Sequence, residues 1–160
     1  MNPSPVHVLI PAAGRGTRYG GEMLKQYLPV CGKPVLAHSI KVFQFHPLIS
    51  STTVILAEDD QWFESAVGLL SANVNTVTGG ETRAQSVRNG LQYIIDNYSN
   101  TDWVLVHDAA RPCLSVSRLE KFLEQGLASP YGAILAVPIG DTLKRAGDSR
   151  EIVATVDRSD

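Results

Sequence analysis

Val6-His7-Val8-Leu9-Ile10-Pro11-Ala12-Ala13-Gly14-Arg15-Gly16-Thr17-Arg18 begins as a β-branched apolar run and breaks at Pro11 into a loop of small residues, glycines and arginines. The apolar run predicts a buried strand. Small side chains let a ligand lie against the backbone, and glycine allows the dihedrals of a tight loop. Successive amide N–H groups in such a loop form a concavity that suits an anion. Arg15, Arg18 and Lys25 surround it with only Glu22 in opposition, so a nucleotide phosphate chain is the natural occupant. The pattern is not a dinucleotide fingerprint, because Arg18-Tyr19 stands where a third glycine would fall. It is not a P-loop either, since no Gly-Lys-Ser/Thr closes it. A surface loop with merely solvated arginines is the competing reading.

Working outward, the chain has 160 residues, enough for one domain with a real core. Hydrophobic residues make up 44%, charged residues 19%, and the net charge is −2, so nothing in the overall charge points to nucleic acid. Any phosphate site must come from local clustering. Cys31 and Cys113 lie far apart with no metal-ligand spacing, as expected of reduced thiols in a cytoplasmic protein. No signal pattern or membrane-length apolar run is present, so no membrane partner is expected.

After the loop, Gly32-Lys33-Pro34 predicts a helix start, with Pro34 in the first helical position. Leu36, Ile40 and Phe43 then share one face. His38 reads as an ordinary helix histidine and His46 as a C-terminal cap, neither with a function. Strands are expected over Thr53 to Ala57 and Val74 to Val77, with a helix from Trp62 to Leu70 between them. Val87, Leu91, Ile94 and Tyr98 mark the next helix. Trp103-Val104-Leu105-Val106 lacks polar alternation and predicts a central strand buried on both faces. Ser117-Arg118-Leu119-Glu120 reads as a capping box, followed by a buried stripe of Leu119, Phe122, Leu123 and Leu127. Ala133 to Val137 reads as a further strand. Strands alternating with helices imply a mostly parallel α/β sheet with right-handed crossovers.

Ligands in such sheets bind beyond the carboxyl ends of the strands. Three segments should meet there: Pro11 to Arg18, Gly79 to Ser86, and His107-Asp108-Ala109-Ala110-Arg111-Pro112. Gly79-Gly80 could let backbone approach a flat base, or could be a plain turn before an N-capped helix. Asp108 could hold Mg²⁺ with water and substrate phosphates, or could simply pair with Arg111. His107 reads as an orienting or packed residue.

Pro11-Ala12-Ala13-Gly14-x-Gly16-x-Arg18 with Lys25-Gln26-Tyr27-Leu28 resembles the nucleotide-binding signature of nucleotidyltransferases. It is similar in particular to the 2-C-methyl-D-erythritol 4-phosphate cytidylyltransferase family of the non-mevalonate isoprenoid pathway. That family usually has proline before the lysine, where this chain has Leu24. The resemblance implies a Rossmann-like α/β nucleotidyltransferase fold, with flanking helices and a protruding β-arm. It divides the chain into a nucleotide-binding domain at 1–138 and an arm at 139–160 for dimerisation and acceptor binding. It implies CTP and a polyol phosphate as substrates, with Arg18 and Lys25 catalytic. Ala12, Ala13, Gly14, Arg15, Gly80, Glu81, Ser86, Asp108 and Ala109 would bind nucleotide. Thr142 and Arg158 would bind the acceptor phosphate, Asp108 would carry Mg²⁺, and the protein would be a cytoplasmic homodimer. Full-length members of the family continue well beyond 160 residues, so this chain is expected to bind CTP better than it turns it over. The alternatives are a nucleotidyltransferase for another sugar or polyol phosphate, or a non-catalytic CTP-binding module.

Overall fold

In the structure, a computed structural model describing residues 5–14, 23–68, 70, 74–99 and 102–157, the strand that opens the chain becomes the middle of a parallel sheet. That strand, β1 (Val6–Pro11), pairs in parallel with β4 (Ile49–Leu56) on one side and β6 (Trp103–Val106) on the other. β5 (Asn75–Thr78) joins the far side of β4, giving the order β5-β4-β1-β6. Val6, Val8, Leu9 and Ile10 are buried on both faces of the sheet, which is why β1 reads as an unbroken apolar run. The chain builds from β1 towards β5 and then returns to the other flank of β1 with β6. That reversal is a topological switch point, where the strand ends open a crevice.

The short pieces between β1 and β4 are a 3-10 turn at Lys25–Tyr27 and a tight hairpin of β2 (Pro29–Val30) and β3 (Lys33–Pro34). Cys31 and Gly32 make its turn with φ of 49° and 75°, the mirror-image geometry that two-residue hairpins favour. Helix α1 (Val35–Lys41) starts one residue later than expected, with Pro34 as its N-cap. Leu36, Ile40 and Phe43 are fully buried, as their spacing predicts. His38 bonds the Val30 carbonyl, and His46 accepts from the Leu48 amide.

Helix α2 (Phe63–Val67) is shorter than the expected Trp62 to Leu70, because Gly68 adopts a φ of 52° and ends it. Asp60 holds its start, accepting the Trp62 and Phe63 amides on one oxygen. Helix α3 (Arg83–Asn97) lies against the sheet through Ser86, Gly90 and Ile94 rather than through Leu91, which is 37% exposed. Gly90 explains the shift. A Cβ there would stand 2.7 Å from Ile55 Cδ1, so helix and sheet meet at their closest where the helix has no side chain.

Two expectations for the apolar runs are corrected. Trp103–Val106 lies at the edge of the sheet among the described residues and is half-buried, with Val106 exposed. An apolar run marks a strand but fixes neither its rank in the sheet nor the cover over each face. Ala133 to Val137 forms no strand, and Ile134 and Val137 are largely exposed, because no described strand pairs with the segment. The start of α4 (Val116–Ala128) is corrected as well: Ser115, not Ser117, accepts the Arg118 amide. Leu119 and Leu123 are buried as expected.

The chain divides into two compact units, Met1–Lys121 and Phe122–Asp160. Within the second, β7 (Lys144–Ala146) and β8 (Ile152–Thr155) form an antiparallel pair with every strand residue exposed. Lys144 Nζ donates to Thr155 Oγ1 across this pair. At the amino ends of the sheet strands, His7 is buried between Ser51 and Asp102, with its Nδ1 2.8 Å from Ser51 Oγ and Nε2 3.0 Å from Asp102 Oδ2. This bridge ties β1, β4 and the entry to β6 together at the end opposite the crevice.

Candidate functional site

Each of the three strand-end loops leaves the sheet with one more rung of the ladder. The amide of Ala12 bonds Ile55 O, that of Gly79 bonds Leu56 O, and that of His107 bonds Leu9 O. The loops are therefore directed before they diverge, and all three open on the carboxyl edge of the sheet. This is the convergence that the parallel reading requires.

In the first loop, Ala12 is buried, and its carbonyl accepts from Gln26 Nε2 at 2.7 Å. The same amide nitrogen reaches the Gly14 carbonyl at 3.4 Å. With N–H to Ile55 and C=O to Gln26, Ala12 is committed inside the protein. No described residue bonds the Ala13 amide or carbonyl, so Ala13 offers this loop's backbone donor and acceptor. Tyr27 anchors the neighbouring turn by donating to Asp60 Oδ2 at 2.6 Å. Burial, followed by that bond and the Asp60 charge, pushes the phenol well above its ordinary pKa, so it stays a donor. Lys25 opens the same turn and is exposed.

The second loop meets the first directly. A Cβ on Gly79 would lie 2.6 Å from Ala13 Cβ and 2.8 Å from Ser86 Oγ, so only glycine lets these segments touch. Ser86, buried in the first turn of α3, accepts the Gly80 amide at 3.1 Å and lies 3.0 Å from the Thr82 carbonyl. The helix start is a capping box of Thr82 and Gln85, each accepting the other's backbone amide. Glu81 is exposed beside it.

The third loop is built from charge. Asp108 accepts from Arg83 Nη2 at 2.7 Å and from Arg111 Nε at 2.8 Å, one guanidinium on each oxygen. The Arg83 bond, opposed by partial burial and aided by both positive charges, holds the carboxyl below its ordinary range. His107 Nε2 bonds the Arg111 carbonyl and its ring packs edge-on to Phe43, 5.3 Å between centroids. Burial lowers its pKa despite that bond. Ala109 is buried, and its carbonyl accepts from Ser39 Oγ.

Asp108 is the one carboxylate of the third loop, and in this structure its partners are arginines. Both carboxylate oxygens are engaged by cations, and the described residues contain no group of three or more His, Cys, Asp or Glu able to hold an ion. A cation on Asp108 would therefore have to displace an arginine and take its remaining ligands from water and substrate phosphates.

Ala12, Ala13, Gly14, Gly80, Glu81, Asp108 and Ala109 fall in the three loops at this edge, Ser86 in the first turn of the helix that follows the second, and Lys25 on the turn that Gln26 ties to the first. Arg15, Arg18 and Arg158 lie outside the described residues. Thr142 belongs to the second unit, exposed just before β7. Sequence reasoning assigned no role to Gln26 or Arg83. A glutamine next to a lysine carries no signal of its own until the backbone it faces is known.

Together, these features define a Rossmann-like α/β protein with a glycine-lined, backbone-rich crevice at its switch point. No described helix is long and apolar enough to cross a membrane. Residues 6–160 match the family model IspD, 2-C-methyl-D-erythritol 4-phosphate cytidylyltransferase, and the chain belongs to that family. Among curated relatives, the enzyme of that name from Xylella fastidiosa (strain M23) is 46% identical over 96% of this chain and 66% of its own length. Its namesake from Xanthomonas campestris pv. campestris (strain 8004) is 45% identical over 96% of this chain and 58% of its own. The chain thus spans about two thirds or less of these relatives. A crystal structure of 4-diphosphocytidyl-2C-methyl-D-erythritol synthase matches 98% of the chain and 69% of its own, with 39% identity and a TM-score of 0.83. The Francisella tularensis 2-C-methyl-D-erythritol 4-phosphate cytidylyltransferase covers 96% and 66%, with 34% identity and a TM-score of 0.75.

Proposed function

We propose that this chain is the nucleotide-binding part of a cytidylyltransferase that joins CTP to 2-C-methyl-D-erythritol 4-phosphate. The observation that carries the reading is the close approach of Gly79 to Ala13 and Ser86, which brings two strand-end backbones together at the carboxyl edge of the sheet. Family membership supplies the substrate class. Cytosine presents an amino donor where uracil has a carbonyl. A backbone carbonyl at Ala13 accepts from that donor, whereas a uracil oxygen would face it unpaired.

In the proposed reaction, an oxygen of the acceptor phosphate attacks the α-phosphorus of CTP in line. The new P–O bond forms as the bond to the β-phosphate oxygen breaks, and pyrophosphate leaves with the electron pair. The acceptor is anionic near neutral pH, so no general base is needed, and positioning with charge stabilisation supplies the rate. Arg18 and Lys25 would stabilise the α-phosphate as charge develops, while Arg15 holds the triphosphate. Thr142 and Arg158 would take the acceptor phosphate, with arginine gripping it through two parallel bonds. Asp108 would be the residue to hold Mg²⁺, which would supply positive charge to the triphosphate.

A cytoplasmic homodimer completes the proposal. The exposed β7–β8 pair leaves Ile152 and Val153 uncovered, and an isolated two-stranded hairpin is marginal in water. A second copy would cover it. Calorimetric titration with CTP, UTP and ATP, beside a pyrophosphate-release assay with the acceptor, tests the reading. CTP should bind in preference to both rivals, and Lys25→Ala should reduce turnover more than CTP affinity. Equal affinity for the three nucleotides would sink it.

A further inference from the structure

We infer that Gln26 is a positioning residue for base recognition, an inference that rests on the cytidylyltransferase reading. Its side chain is 1% exposed, and a carboxamide so buried must use its hydrogen-bonding capacity inside the protein. It carries two N–H donors, and Nε2 lies 2.7 Å from Ala12 O and 3.4 Å from Gly14 O. These carbonyls flank Ala13, whose own backbone groups no described residue bonds. One side chain therefore grips the loop on both sides of the residue available to a base.

The geometry around it removes the other freedoms. The Ala12 amide is fixed to Ile55 O at 2.8 Å, and Ala13 Cβ stands against Gly79. Turning the Ala12–Ala13 peptide plane, which carries the Ala13 amide, would break the bond to Ala12 O. The second bond holds the Gly14 carbonyl one peptide beyond that of Ala13. Gln26 itself is held by its neighbour, since the Tyr27 phenol is bonded to Asp60. The chain of support runs from Asp60 through Tyr27 and Gln26 to the loop. Gln26 does not meet the base; it acts through the backbone that does.

Two substitutions separate this role from general support of the fold. Gln26→Met keeps length and volume but removes both donors. Gln26→Glu is isosteric, and its carboxylate faces the two carbonyls without a proton to donate. Affinities for CTP and UTP are measured by calorimetry at a temperature where circular dichroism shows every variant folded. The expected result is a fall in the CTP-over-UTP affinity ratio on the order of tenfold, the scale of one buried hydrogen bond. Amide hydrogen exchange at Ala13 and Gly14, read without nucleotide, should quicken in both variants.

An unchanged ratio together with unchanged exchange overturns the inference. Equal loss of affinity for both nucleotides also overturns it, because that is what loosened folding produces. If the unsubstituted chain binds CTP and UTP alike, the cytidylyltransferase reading fails and base recognition by Ala13 fails with it. Exchange at Ala13 and Gly14 then still decides whether Gln26 holds the loop. Should Gln26→Glu fail to fold, Gln26→Met carries the comparison.

Discussion

The candidate site has two sides, and they are held by different physics. On one side Ala12, Ala13, Gly79 and Ser86 are joined by neutral hydrogen bonds and close contact, with Gln26 and Ser86 almost wholly buried. On the other, Asp108 is held between two arginines whose side chains are 63% and 78% exposed. A buried neutral network is rigid and costly to disturb, whereas exposed ion pairs contribute little and yield to solvent. A flat base needs a fixed template, and a phosphate chain entering with its own charge needs partners that can let go. The contrast suits a site that reads a base on one side and exchanges charge on the other.

The largest effect should come from Gly79→Ala. The added Cβ meets Ala13 Cβ, Ser86 Oγ and the Leu56 carbonyl, none of them the far end of a flexible side chain. Relief requires moving one loop, and overpacking of this kind costs about 1–3 kcal/mol. Denaturant midpoints should drop accordingly, and CTP binding should weaken further than stability alone explains. A variant as stable and as tight-binding as the parent would mean that the two loops are not locked together.

Most of the sheet and half of this contrast were legible in the sequence. β1 announced itself through an apolar run that stops at Pro11, and the loops after β5 and β6 through glycines and a lone aspartate. What escaped reading is instructive. Gly90 looks like a weak point in a helix, yet it marks the closest helix–sheet approach. Ser117 to Glu120 has the spacing of a capping box, but Ser115 caps the helix two residues earlier. The working box at Thr82 and Gln85 uses glutamine in place of the acid and lies behind a glycine turn that drew attention first. For Asp108, sequence left a metal and an arginine as rival partners, and Arg83, 25 residues upstream, entered neither reading. That pair forms only because parallel strands align their ends.

The second effect is in pH, and it should arise on the charged side. Burial favours neutral His107, so the unfolded chain binds the proton more readily than the folded one. Stability from this group is therefore fully present above the ordinary histidine value of 6.5 and declines as pH falls below it. Asp108 acts lower: its depressed value adds stability above 3.8 that is lost as pH falls through the folded value. Melting temperatures of the parent and His107→Gln, compared between pH 7.5 and 5.5, should converge as pH falls. Parallel curves would remove His107 as the source.

The smallest effect should be that of Arg83→Gln, and its smallness is the point. Arg83 and Asp108 meet at 2.7 Å, but both side chains are at least a third exposed and Arg111 remains on the other carboxylate oxygen. Exposed pairs of this kind are worth about 0–1 kcal/mol, because water screens the attraction and two side chains must be ordered. The loss should stay within that range at low ionic strength. It should vanish near 0.5 M salt, where the Debye length is roughly 4 Å. Gln26→Met, measured beside it, should show a loss that salt leaves unchanged, since no net charge is involved in holding the Ala12 and Gly14 carbonyls. A large, salt-independent loss in Arg83→Gln would show instead that the arginine bridge is part of the rigid frame. The division between a fixed base side and a yielding charge side would then be wrong, and both strand-end pairs would belong to one template.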